Sequence, residues 1–361
     1  RSAVRRICAV LLTVALVLAG CGGSTSQPQG SSSSASNSSA SGGSTSTSST
    51  SGGSETSSGT EARLIEIGLT QIVEHPALDA TRQGIIDGLK EAGYEDGKQI
   101  RIDFQSAQGE QPVAQQIAEK FVADKKDVIV AIATPSAQAV VQATKNNPIP
   151  VVFSAVTDPL SAGLVSDLQK PGGHITGTSD LVPVKIQMEL FDRLGLDVSN
   201  VGIIYNAGEA NSVALMKDIK VAAEELGLNI VEATVANATE VQQAAQSLVG
   251  RVDGLYLITD NTLAQGVAAV IDIANSNKIP AISSVDSYVE QGALATIGLD
   301  YYLHGRLTAQ VVVDILQGKN PSDLPVRYNE DLSLIINTKT VELLGIDVPA
   351  AVLEEAQKIG N

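Results

Sequence analysis

Two short stretches, 126 residues apart, carry the residue types that could hold a small polar ligand. The first runs Asp127-Val-Ile-Val-Ala-Ile-Ala-Thr134-Pro-Ser136-Ala-Gln-Ala-Val-Val141, the second Asp253-Gly-Leu-Tyr-Leu-Ile-Thr-Asp260-Asn261-Thr-Leu-Ala-Gln-Gly-Val267. Each passes from an acidic start through an apolar strand to hydroxyl or carboxylate side chains, then into a helix containing Ala-Gln. A helix start exposes unpaired N–H groups and the positive end of the macrodipole, and α/β folds bind ligands at such strand-to-helix junctions. An α-carboxylate needs fixed donors, and Thr134 and Ser136, flanking a Pro at the first helical position, offer hydroxyls and free N–H groups. Asn211 and Ser212 open a helix at the equivalent place in the other half. An α-ammonium needs a carboxylate or several acceptors. Asp260 is the first choice, with Asn261 beside it, and Asp158, Asp180, Glu209 and Asp300 are reserves. Helix capping is the competing role for Thr134, Asp158 and Asp300. Thr70, Gln71, His75 and Thr157 follow apolar strands and form a second tier. A carboxylate left unpaired in a closing cleft is costly, which favours a cationic ligand group opposite at least one of these acids.

Other chemistries lack their residues. The chain has no Walker Gly-Lys-Thr run, no Gly-x-Gly-x-x-Gly turn and no Gly-x-Ser-x-Gly elbow, and no nucleophile–base constellation stands out. His75, His174 and His304 are scattered, and the 2 Cys, Cys8 and Cys21, both lie near the N-terminus, so neither a metal site nor a disulfide is expected in the folded part. The expectation is therefore a binder, not an enzyme, with no cofactor. A net charge of −16 with scattered Lys and Arg argues against a nucleic-acid partner. The absence of Trp and the presence of only 4 Phe weigh against a sugar-stacking site, although 7 Tyr remain.

The elements that must position these residues follow from hydrophobic spacing. Strands are expected at 64–70, 99–104, 128–133 and 150–155, alternating with helices at 78–92, 110–124 and 136–146. A further helix is expected at 160–168, opened by Thr157-Asp158-Pro159. The pattern restarts after Pro171-Gly-Gly-His174, with a helix at 187–194, strands at 201–205, 229–234, 254–259 and 279–284, and helices at 212–226, 240–249 and 263–275. Ile279-Pro-Ala-Ile-Ser-Ser284 echoes Ile149-Pro-Val-Val-Phe-Ser154. This is an internal duplication of a βαβαβαβ unit, and right-handed crossovers make it an α/β protein of two Rossmann-like lobes with parallel sheets. The tail, with strands at 294–299 and 332–336 and helices at 301–317 and 338–344, returns to both lobes. Hinge strands are expected at Ser179–Lys185, Ile297–Asp300 and Leu324–Tyr328. The N-terminal lobe then takes residues 61–181 plus 298–325, and the C-terminal lobe 182–297 plus 326–361.

Ahead of the lobes, residues 1–21 read as a signal peptide: Arg1, Arg5 and Arg6 precede an apolar run, Ile7–Leu18, too short to span a bilayer comfortably. It ends in Leu18-Ala19-Gly20-Cys21, which resembles a bacterial lipobox, with Cys21 as the lipidated residue. Residues 22–60 are almost entirely Ser, Gly, Thr, Ala, Asn, Gln and Pro, the composition of a disordered linker. A membrane-anchored domain on the extracytoplasmic face is the expectation.

Taken together, Ala133-Thr-Pro-Ser-Ala-Gln138, Val152-Phe-Ser-Ala-Val-Thr-Asp-Pro159, Ser179-Asp180, Glu209-Ala-Asn-Ser212, Thr259-Asp-Asn-Thr262 and Ala295-Thr-Ile-Gly-Leu-Asp-Tyr301 resemble the ABC-transporter substrate-binding lipoproteins of the TrpX type. The likeness covers roughly residues 64–350. It implies a type I periplasmic-binding-protein fold, an aromatic amino acid as ligand, and delivery to an ABC permease and its ATPase. A ligand-sensing subunit for a membrane receptor, or a binder of an aliphatic amino acid, nucleoside or sugar, would carry the same layout.

Overall fold

The computed structural model describes residues 63–360. The expected signal peptide, Cys21 lipobox and linker lie outside them. The first lobe alternates strictly: β1 (Ile65–Gln71), α1 (Pro76–Glu91), β2 (Ile100–Ser106), α2 (Gln111–Ala123), β3 (Val128–Ile132), α3 (Thr134–Thr144), β4 (Val151–Ser154) and β5 (Ile175–Ser179). Two short helices, α4 (Val184–Met188) and α5 (Leu190–Arg193), lead to the second lobe. There follow β6 (Asn200–Asn206), α6 (Ala210–Leu226), β7 (Asn229–Val235), α7 (Val241–Leu248), β8 (Gly254–Leu257), α8 (Asn261–Ser276), β9 (Ala281–Ser283), α9 (Asp286–Glu290) and β10 (Ala295–Gly298). The tail supplies α10 (Tyr301–Leu316), β11 (Arg327–Tyr328), β12 (Ser333–Asn337), α11 (Thr338–Leu344), α12 (Ala350–Glu355) and β13 (Gln357–Ile359).

The first sheet has the order β11-β5-β4-β3-β1-β2 and the second β13-β12-β10-β9-β8-β6-β7. All pairings are parallel except β10 with β12. Both lobes thus share one winding, in which the strand order reverses beside β1 and beside β6, opening a crevice at the carboxyl ends of the strands. The sequence dictates this locally. All five residues of β3, Val-Ile-Val-Ala-Ile, are buried, as a central parallel strand covered on both faces requires. On α8, Leu263, Val267, Val270, Ile271 and Ala274 recur at helical spacing and are buried on one face. One apolar core runs through residues of both lobes, joining Ile132 and Val152 to Leu263 and Tyr288.

The chain crosses between the lobes three times: after β5 at residues 180–183, after β10 at 299–300, and after β11 at 329–332. The third crossing differs from the expected Leu324–Tyr328. Arg327 and Tyr328 pair with Thr178 and Ser179 in the first sheet, and Val326 N–H donates to Leu168 O, so residues 326–328 side with the first lobe. The helix expected at 160–168 is absent. Asp158 accepts from the N–H groups of Leu160 (3.1 Å) and Ser161 (2.9 Å), and Gly163 follows at φ 71°, which closes a turn before a helix can propagate.

The return of α10 to the first lobe depends on two glycines. A Cβ at Gly84 of α1 would stand 2.1 Å from the carbonyl oxygen of Tyr302, and one at Gly305 of α10 2.1 Å from that of Thr81. Only hydrogen at both positions lets the two backbones touch. His75 precedes α1 and Tyr301 opens α10, so this contact holds together two helices that begin at the crevice.

Candidate functional site

At the switch points of the two sheets a narrow cavity of about 20 Å³ lies between the closely apposed lobes. The first lobe lines it with His75, Leu78, Thr134, Ala155, Thr157 and Asp180; the second with Asn211, Thr259, Asp260, Asn261, Val285 and Tyr288; Tyr301 comes from the start of α10. Two of the five described non-glycine residues with positive φ lie on this wall. Ala133, which precedes α3, has φ 74° and Ala155, just past β4, φ 52°, conformations that a residue with a Cβ rarely adopts.

Buried polar side chains normally find partners. Among the described residues, the buried atoms that have none include Thr70 Oγ1, His75 Nδ1, Ser136 Oγ, Asp180 Oδ1, Asn211 Oδ1 and Ser287 Oγ. His75, Asp180 and Asn211 line the cavity itself. Thr70 lies near the end of β1, Ser136 in the first turn of α3, and Ser287 in α9 next to Tyr288. Three unpaired polar atoms on residues that line one cavity are what a polar ligand would satisfy.

Each wall group is held in a defined orientation. Asp180 Oδ2 accepts from the Tyr301 hydroxyl at 2.9 Å, which leaves Oδ1 for the cavity. The amide nitrogen of Asn211 donates to Glu209 Oε2 (3.2 Å) and to Thr259 O (3.1 Å), so its oxygen faces inward as an acceptor. Burial pushes the His75 imidazole down to about 4, against the upward pull of Asp79 and Asn261, so the ring is neutral at pH 7. On α10, His304 Nε2 accepts from Ala155 N–H (3.1 Å), and Nδ1 pairs with Asn329 Oδ1 (2.5 Å) on the third crossing.

Asp260 and Glu209 are both engaged by the protein. Asp260 accepts from Leu263 N–H (2.7 Å), Asn206 N–H (2.7 Å) and the Ser212 hydroxyl (2.6 Å), capping α8 and tying it to β6 and α6. Burial, with the Glu209 charge nearby, pushes it up to about 7. Glu209 accepts from the N–H groups of Asn261 (3.1 Å) and Thr262 (3.0 Å) and from both their side chains, a second cap on the same helix.

Of the residues singled out in the sequence, Thr134, His75, Thr157, Asp180, Asn211, Asp260 and Asn261 meet at the cavity wall. Thr70, Ser136, Ser212 and Glu209 are buried in the elements that carry that wall. Asp158 and Asp300 stay outside: Asp158 closes its turn, and exposed Asp300 caps α10 by accepting from Leu303 N–H at 3.0 Å. Gln71 is spent on Val73 O and Asp79, both at 2.8 Å. Tyr288 and Tyr301 went unrecognised. Tyr288 sits on the five-residue α9, too short to leave a periodicity; for Tyr301 the only signal was its position one residue past Asp300. Among the described residues no group of three or more His, Cys, Asp or Glu is placed to hold a metal ion, and no helix is long and apolar enough to cross a membrane.

Residues 66–359 match the family described as ABC transporter substrate binding protein. The chain belongs to this family. A tyrosine-binding protein of Clostridioides difficile is 44% identical over 278 residues, 77% of this chain and 80% of that protein. Among solved structures, an ABC domain from Streptococcus pneumonia in complex with L-Trp is 37% identical, with TM-score 0.79, covering 82% of this chain and 99% of that one. The ligand-free, open structure of a substrate-binding protein with adhesive properties from Clostridium difficile is 43% identical at the same coverages, yet its TM-score is 0.63. Higher identity with poorer superposition is what a rigid-body difference between lobes produces. This chain superposes better on the L-Trp complex than on the ligand-free, open structure. The fold is that of the type I periplasmic binding proteins.

Proposed function

We propose that this substrate-binding protein is an extracytoplasmic lipoprotein, anchored through Cys21, that closes its two lobes on an aromatic L-amino acid and presents it to an ABC permease, with no chemistry of its own. One observation carries the ligand reading: Asp180 Oδ1, buried and without a partner, faces a cavity whose opposite needs are met by hydroxyls and a helix start. The α-ammonium pairs with Asp180, with Asn211 Oδ1 as a neutral acceptor. The α-carboxylate lies at the first turn of α3, where Thr134, the Ser136 hydroxyl and unpaired N–H groups are concentrated. Tyr288, Tyr301, Leu78 and Val285 give the ring an apolar enclosure with edge and face contacts. The names of the tyrosine-binding relative and of the L-Trp complex support an aromatic side chain.

Asp260, although on the wall, is the weaker partner for the ammonium because three protein donors already hold it. Asp180→Asn is the deciding variant: it keeps an oxygen for Tyr301 but removes the charge. Calorimetric titration with L-tyrosine and L-tryptophan should show affinity reduced by about 2–5 kcal/mol, the cost of unpairing a buried charge. Unchanged affinity would remove Asp180 from the site.

A further inference from the structure

The cavity holds more unpaired acceptors than one ammonium can reach. Asp180 lies one residue beyond β5 and His75 four residues beyond β1, with β4 and β3 between, so the strands that carry them are three strand spacings apart, about 14 Å. An ammonium donates only to acceptors within about 3 Å of its nitrogen. Whichever end of the cavity takes the α-ammonium, the acceptor at the other end is left for a different part of the ligand.

The neighbours of His75 determine what that acceptor is. The Asn261 amide nitrogen donates to Glu209 Oε2 at 2.6 Å, which leaves its carbonyl oxygen as the group available to the neighbouring imidazole. A carbonyl accepts a ring N–H, and because Nδ1 is the nitrogen without a partner, we assign the proton to Nε2. Nδ1 is then a bare lone pair, buried at the cavity wall, and only a donor can satisfy it.

We propose that His75 is a specificity-determining residue: its Nδ1 accepts a hydrogen bond from a donor at the far end of the ligand's aromatic ring, a phenol O–H or an indole N–H. This rests on the amino-acid reading with Asp180 at the ammonium. Phenylalanine fills the same space but leaves Nδ1 unpaired, and a buried polar group stranded in this way discriminates strongly between otherwise isosteric ligands. The imidazole makes no capping bond to α1, whose first residue is Pro76, so its replacement leaves the helix start intact.

The test is calorimetric titration of the full-length protein with L-tyrosine, L-tryptophan and L-phenylalanine, for the wild type, His75→Ala and His75→Asn, with each variant's melting curve recorded. The wild type should bind tyrosine or tryptophan roughly tenfold to a hundredfold more tightly than phenylalanine, and the tighter of the two identifies the donor as phenol or indole. His75→Ala should collapse that ratio, chiefly through loss of the favoured ligand, and His75→Asn, which restores a carbonyl acceptor, should recover part of it. Phenylalanine binding as tightly as both others in the wild type would overturn the role of His75 while leaving the amino-acid reading standing. A uniform loss for all three ligands in His75→Ala would also overturn it. Failure of all three to bind the wild type would overturn the amino-acid reading itself.

Discussion

Asp260 shows how an acid can stand at a cavity wall and still be fully occupied. It holds Leu263, Asn206 and Ser212 at once, so Asp260→Ala should lower the stability of the ligand-free protein by about 1–3 kcal/mol, read as a shifted urea midpoint. The sequence pointed to this residue through its repeat position. It could not tell which oxygen of which acid is left over, because that depends on donors from three separate elements. His75 makes a prediction of opposite character. Its imidazole titrates near 6.5 in the unfolded chain and near 4 when folded, so above pH 6.5 both states are neutral and nothing is lost. As pH falls from 6.5 to 4 only the unfolded chain takes up the proton, and stability drops by up to about 3 kcal/mol. In His75→Asn that component should vanish, so wild type and variant should differ in the pH dependence of their unfolding between 6.5 and 4 and run parallel above it.

At the scale of elements, long segments with a clear period were readable and short ones were not. The apolar run of β3 and the spacing on α8 and α10 fixed those elements from composition alone. Asp300 and Asp260 marked their starts, since their side chains each accept from the residue three positions on. The two-residue β11 and five-residue α9 carry no such pattern; tertiary packing makes them, and Tyr288 entered the site unseen as a result. The α1–α10 contact was likewise illegible, because Gly84 and Gly305 read as ordinary helix-weakening residues until the backbones are seen to touch. Gly84→Ala and Gly305→Ala should each destabilise the protein by about 1–3 kcal/mol despite the better helix propensity of alanine. A melting temperature raised by either change would mean the helices do not cross at that distance in solution.

For the whole molecule, the doubled winding was visible in the sequence because the repeat restates its motifs, while the relative disposition of the lobes was not, because no local signal encodes it. Closure on a ligand has two consequences to measure. Ligand at a hundred times its dissociation constant should stabilise the protein by about 2.7 kcal/mol. Small-angle scattering should show the radius of gyration falling on addition of the same ligand, and a radius that does not respond would argue against lobe movement. The geometry of Asp180 and Tyr301 carries this further. The carboxylate belongs to one interlobe crossing and the phenol that orients it follows directly on another. A hinge motion that bends these two crossings should therefore disturb the orientation of the acid in the same movement, so that opening itself favours release.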